Sequence, residues 1–161
     1  MKTTIAIIGT GDRGQAWATG LAKAGNRVLL YAPHCETAKA ISEAIRLAHP
    51  GADIEAMTCS FDAAWEADII VLAIPREDCT KVARYIKDVA TQKIIVSPTT
   101  ATDAIEELGC LLPHSKLVRV AVDLGVRAEQ TPTPDSSGYS VTGNDSDAVE
   151  TISRLVETIR F

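Results

Sequence analysis

The apolar run Ile5-Ala6-Ile7-Ile8 passes straight into Gly9-Thr10-Gly11-Asp12-Arg13-Gly14, and that junction limits the available folds more than any other stretch of the chain. Glycine at each of the three positions has its own physical reason. The first permits a tight turn, the second lets backbone N–H groups approach a pyrophosphate, and the third lets the next helix lie close to the strand. A helix starting here aims its positive dipole end and its first N–H groups at the space over the turn, a place suited to an anion.

A GxGxxG turn on its own is weak evidence, so its flanks decide. Trp17, Leu21 and Ala24, with Ala16, Ala18 and Ala22 between them, have helical spacing and little β-branching. Gly25-Asn26 ends that helix. Val28-Leu29-Leu30-Tyr31 then predicts a second strand buried on both faces, which completes a βαβ unit.

The alternation continues to the end of the chain. A helix over residues 36–48 places Ala38, Ile41, Ile45 and Ala48 on one face, and His49-Pro50-Gly51 closes it. Residues 54–58 predict a third strand, and residues 60–67 a short helix with Phe61 and Trp65 as a pair of core anchors. The run Ile69-Ile70-Val71-Leu72-Ala73-Ile74-Pro75 predicts a central parallel strand. A helix over 77–90, carrying Val82, Ile86 and Val89, leads to a fifth strand over 93–98. A short helix over 103–112, strands over 117–122 and 139–142, and a helix over 145–159 follow. The last buries Val149, Ile152, Leu155, Val156 and Ile159. The Pro- and Ser-rich stretch 130–138 is expected to be a surface loop rather than a lid. The expected fold is α/β, with a doubly wound, mostly parallel sheet, helices on both faces, and one dinucleotide-binding domain over residues 1–161.

Size and charge narrow the function. At 161 residues the chain is the length of one domain, with enough material for a sizeable core. Its net charge of −5 opposes binding to nucleic acid or to an anionic membrane. The apolar run after Lys2 is broken by Gly9 and Gly11 before a signal-peptide core forms, so a soluble, cytoplasmic protein is expected. Cys35, Cys59, Cys79 and Cys110 form no CxxC pair or regular framework, which favours reduced thiols. Cys110 and His114 have a ligand-like spacing, but Pro113 interrupts the helix that would align them. No metal site is expected.

In a doubly wound sheet, ligands lie outside the carboxyl ends of the strands. Those ends are the glycine turn itself, Ala32-Pro33-His34 after strand two, Ala73-Ile74-Pro75 after strand four, and Ser97-Pro98-Thr99 after strand five. The adenine ribose is expected at the second and the nicotinamide near the fourth and fifth. Tyr31, Ala32 and Pro33 offer no carboxylate for a ribose 2′-hydroxyl, which leans toward NADP over NAD. Thr10, Arg13 and His34 are the nearby candidates for its extra phosphate. Arg13 either reaches a phosphate or is solvated on the first helical turn, and His34 is either a phosphate contact or a loop histidine. Asp123 and His114 are the residues weighed as general acid, and neither is assigned.

The glycine turn, Ala73-Ile74-Pro75, Ile95-Val96-Ser97-Pro98 and Val141-Thr142-Gly143-Asn144-Asp145 together resemble the coenzyme F420-dependent NADP reductases. They are also similar to the related cytosolic reductase domains of membrane metalloreductases. The resemblance covers nearly the whole chain. It implies that NADP(H) is laid against a deazaflavin or flavin and that hydride passes directly between the two rings, with no side chain shuttling a proton. The chain departs from the family pattern at three places. A Ser-Arg-Arg-like phosphate reader is replaced by Ala32-Pro33-His34, a histidine after strand six is replaced by Val120-Ala121-Val122-Asp123, and the family's final strand and C-terminal helices lie beyond Phe161.

The leading expectation is an NAD(P)-dependent oxidoreductase in which the protein binds and orients, and the nicotinamide carries the hydride to a flavin, deazaflavin or other small acceptor. The competing one is a non-catalytic NAD(P)-binding redox sensor or regulatory subunit. A homodimer with the apolar terminal helix as a contact is a further expectation. An S-adenosylmethionine site fits the complete GxGxxG and its helix less well.

Overall fold

Strands that are apolar on both sides need helices on both sides, and the chain supplies them in turn. The computed structural model describes residues 2–99, 103–122 and 139–159. Within these, the strands are β1 (Thr4–Ile8), β2 (Arg27–Tyr31), β3 (Asp53–Met57), β4 (Ile69–Leu72), β5 (Ile94–Ser97), β6 (Lys116–Val122) and β7 (Tyr139–Gly143). The helices are α1 (Asp12–Lys23), α2 (Cys35–Ala48), α3 (Ser60–Glu66), α4 (Arg76–Ile86), α5 (Asp103–Leu111) and α6 (Ser146–Ile159). The stretch 130–138, Asp123 and Phe161 lie outside the described residues.

The strands form one sheet in the order β3-β2-β1-β4-β5-β6-β7, parallel throughout except for β7, which runs antiparallel to β6. The chain therefore builds outward from β1 to β3, then returns to place β4 on the other side of β1. Ligands of such sheets sit at that reversal. The register sets all these ends at one level, because Ile8 is opposite both Tyr31 and Leu72, and Val71 is opposite Val96. Gly9, Ala32, Ala73 and Pro98 consequently leave the sheet side by side.

Two apolar layers hold the sheet. On one face Trp17 and Leu21 of α1, Ala38 and Ile45 of α2, and Ile152 and Val156 of α6 pack on Ile5, Ile7, Val28, Leu30 and Val71. On the other, Ala63 and Ala64 of α3, Ala83 and Ile86 of α4, and Leu108 pack on Ala6, Ile8, Leu29, Ile70 and Ile95. Burying a residue such as Leu30 or Ile70 stabilises the fold by about 1.5–3 kcal/mol. Local signals fix the ends of elements. Gly25 adopts a φ of 89° just past α1, and Asp145 accepts a hydrogen bond from the Ala148 N–H at 2.8 Å, capping α6.

Three expectations from spacing are corrected. Trp65 is not a core anchor: it is 66% exposed, while Phe61 is half-buried, because the small residues Ala63 and Ala64 face the sheet and bring α3 in close. Ala48 is exposed at the end of α2, where Ser42 takes a buried position instead. Helix α4 stops at Ile86, short of residue 90, and the N–H groups of Val89 and Ala90 both bond the Ile86 carbonyl at 3.0 Å as the chain turns off.

Candidate functional site

The glycine turn joins β1 to α1, and each glycine meets a different environment. Gly9 has a φ of 120°, and a Cβ there would overlap the Ala73 carbonyl and stand 2.9 Å from Ile74 Cγ2. Gly14 carries no side chain because its Cβ would run into the Gly9 backbone. These two are held by the fold. Gly11 is different: its φ of −68° and ψ of −175° suit any residue, and a Cβ there meets nothing within 4 Å. Folding places no demand for glycine at this position. Its bare backbone instead leaves open the space over the N-terminus of α1, where the first helical bond runs from the Gln15 N–H to the Gly11 carbonyl at 2.9 Å. The N–H groups of Asp12, Arg13 and Gly14 stand ahead of that bond, and no side chain caps them. This is the cradle that a pyrophosphate fits, so the residues present suit a dinucleotide.

The surrounding strand ends are tied to the turn on both sides. The Gly9 N–H donates to the Tyr31 carbonyl at 3.0 Å, locking the turn to the end of β2. The Arg13 guanidinium donates to the Pro98 carbonyl at 2.7 Å, reaching past β4 to the end of β5. Arg13 is exposed and, through one of its guanidinium nitrogens, spans from the glycine turn to the β5 wall of the crevice. Ala32, Ser97 and Pro98 are buried, Thr10, Ala73, Ile74 and Thr99 are half-buried, and Pro33, His34 and Pro75 are exposed. All the strand-end residues picked out from sequence therefore gather along one edge of the sheet.

A cavity of about 390 Å³ opens beside the end of β2, and the sequence pointed to only one of its walls. Tyr31 contributes that wall, Thr58 and Cys59 follow the end of β3, Ser60 opens α3, and Lys81, Val82 and Tyr85 come from α4. The Cys59 thiol is held below the usual thiol range, first by the Asp62 backbone N–H and then by the Tyr85 hydroxyl 3.7 Å from its Sγ. Tyr85 is pushed up in turn by the same contact. On the next turn of α4 toward the crevice, burial pushes the Cys79 thiol up to about 11, assisted by Asp78 and Glu107. A second cavity, of about 410 Å³, lies between α1 and α2, with Thr19, Ile41, Ala44 and His49 in its walls. It lies on the helix surface, and Gln15 in its wall donates to the Thr10 carbonyl of the glycine turn at 2.9 Å.

Among the described residues no group of three or more His, Cys, Asp or Glu side chains could hold a metal ion. Cys110 sits in the last turn of α5, and His114 falls beyond its end, so the two do not share a helical face. No helix among the described residues is long and apolar enough to cross a membrane.

Known proteins with this architecture are found by sequence and by structure. The sequence model of a family described as NADP oxidoreductase, coenzyme F420-dependent, matches residues 4–101, from β1 to just past β5. The F420-dependent NADP reductase of Methanothermobacter thermautotrophicus is 33% identical over 107 residues. That match takes in 65% of this chain and 46% of the reductase, so the chain spans about half the length of that relative. A crystal structure of a putative F420-dependent NADP-reductase from Arthrobacter sp. FB24 superposes with a TM-score of 0.73 at 20% identity, covering 96% of this chain and 80% of that one. The 3-hydroxyisobutyrate dehydrogenase of Mycobacterium tuberculosis gives 0.76 at 18%, over 99% and 52%. The Plasmodium falciparum pyrroline carboxylate reductase, solved with NADP bound, gives 0.68 at 16%, over 98% and 55%. The structural neighbours share the fold.

Proposed function

This chain belongs to the coenzyme F420-dependent NADP oxidoreductase family, and from that premise we propose that it is an NAD(P)-dependent oxidoreductase that takes NADP by preference and passes hydride to a flavin, deazaflavin or similar small acceptor. The observation that carries the reading is Gly11, a glycine that neither backbone strain nor packing requires and that leaves the helix N-terminus bare. A pyrophosphate gives that absence a purpose.

Each residue then has a binding or positioning role. Gly9, Thr10 and Gly11, with the N–H groups of Asp12, Arg13 and Gly14, hold the pyrophosphate. Ala32, Pro33 and His34 flank the adenosine ribose. Ala73, Ile74 and Pro75, with Ser97, Pro98 and Thr99, shape the nicotinamide end, and the hydrogen bond from Arg13 to Pro98 keeps that wall at a fixed distance from the phosphate cradle. When bound, the nicotinamide supplies the hydride. The contribution of the protein is alignment and exclusion of water, with no side chain assigned to proton transfer.

The substitution Gly11→Asp tests the site. It places a carboxylate in the open space over the helix N-terminus, and calorimetry with NADPH and NADH is expected to show affinity lowered about 100-fold or more. Wild-type affinity in the variant overturns the assignment. Oxidation of NADPH is then followed with deazaflavin, flavins and ferric chelates as acceptors. Turnover with any of them supports an enzyme, whereas tight binding without turnover across the panel assigns the chain to a redox sensor instead.

A further inference from the structure

We infer that Lys81, carried on α4, reads the 2′-phosphate on the adenosine half of the dinucleotide, with the cavity at the ends of β2 and β3 as its seat. The inference rests on the dinucleotide reading given above and adds a residue that the strand-two tip does not contain. A 2′-phosphate needs a cation, and the tip supplies little: Ala32 is buried, Pro33 is apolar, and His34 is exposed at the start of α2. Arg13 reaches away from that tip, its guanidinium bonding the Pro98 carbonyl at the end of β5, on the far side of β1 from β2.

The cavity meets the need in two ways. Its position is right, because Tyr31, the last residue of β2, forms one wall and the adenosine ribose of such folds lies at that strand end. Its donors are right, because Thr58, Ser60, Tyr31 and Tyr85 each bring a hydroxyl and Lys81 an ammonium, while no carboxylate lines it. In a chain of net charge −5, a lining with hydroxyls and a cation but no acid selects an anion.

Adenosine 2′,5′-bisphosphate and adenosine 5′-monophosphate are the probes, titrated by calorimetry into the wild-type chain and into Lys81→Met and Lys81→Arg. Lys81→Met is expected to weaken the bisphosphate about tenfold or more while changing the monophosphate less than about twofold. Lys81→Arg keeps the charge and is expected to retain most of the discrimination. Raising the salt concentration should narrow the wild-type preference for the bisphosphate. Loss of both ligands in parallel, or of neither, overturns the role of Lys81. The same variants titrated with NADPH and NADH separate the two levels of the argument. If the wild type binds neither, the dinucleotide reading fails as well; if it binds both and Lys81→Met leaves their ratio unchanged, only the role of Lys81 fails.

Discussion

Gly9 and Gly11 are two residues apart and answer to different forces. Gly9→Ala places a Cβ at a φ of 120° against the Ala73 carbonyl, and the strain is expected to cost at least about 2 kcal/mol in chemical denaturation. Gly11→Asp puts a favoured N-cap residue at the head of α1, so the ligand-free protein is expected to be as stable as wild type or about 0.3 kcal/mol more stable, although binding is weakened. The cysteines give a second test at this scale. At pH 8, alkylation followed by mass spectrometry is expected to modify Cys59 well before Cys79, because the one thiol is held below the usual range and the other is pushed up to about 11. Cys79 also ties stability to pH. Its folded value lies above its unfolded value of 9.0, so the fold binds more protons than the unfolded chain between the two, and stability falls as pH rises from about 9 to 11. Cys79→Ala should flatten that decline. Lys81 and the bond from Arg13 to Pro98 were not legible in the sequence, since both depend on chain segments meeting across the sheet. The glycine turn was legible because its residues are consecutive.

Between elements, α1 and α6 meet where Gly20 faces Ile159. A Cβ at Gly20 would overlap the Ile159 side chain. Gly20→Ala gains about 1 kcal/mol of helix propensity and loses about 1–3 kcal/mol to overpacking, so a modest net destabilisation is expected. In an Ile159→Ala background the overlap disappears, and the same substitution should become stabilising. A double-mutant cycle by denaturant unfolding reads that reversal of sign. Most elements were visible from sequence because the strands are unbroken apolar runs and the helices repeat at helical spacing. The failures came where spacing does not decide which face turns inward. In α3, Phe61 and Trp65 share a helical face as expected, but Ala63 and Ala64 occupy the sheet, and a seven-residue helix has no second buried turn to resolve the choice. Lys93 shows how tertiary contacts finish what local signals leave open: its ammonium donates to the Ala64 and Trp65 carbonyls, each at 2.6 Å, and ends α3 where no glycine does.

For the whole molecule, the reversal between β3 and β4 sets the glycine turn in the middle of the sheet, with the second-strand tip on one side and the β4 and β5 ends on the other. A dinucleotide bound as proposed bridges them, and its binding is expected to add to global stability. At a free concentration 100 times the dissociation constant the gain is about 2.7 kcal/mol, which for a chain of this size raises the melting temperature by about 5–10 °C. Calorimetric scans are expected to show this rise with NADPH, at most about 1–2 °C for Gly11→Asp, and an intermediate one for Lys81→Met at the same NADPH concentration. The open space at Gly11 also separates two kinds of selection. In a library of variants ranked by cellular abundance, Ser or Asp at position 11 should pass unnoticed while substitutions of Gly9 and Gly14 disappear; ranked by a growth phenotype that needs turnover, all three positions should be intolerant. On the proposed function, a lineage no longer selected for it would therefore lose Gly11 first and keep the scaffold long afterwards.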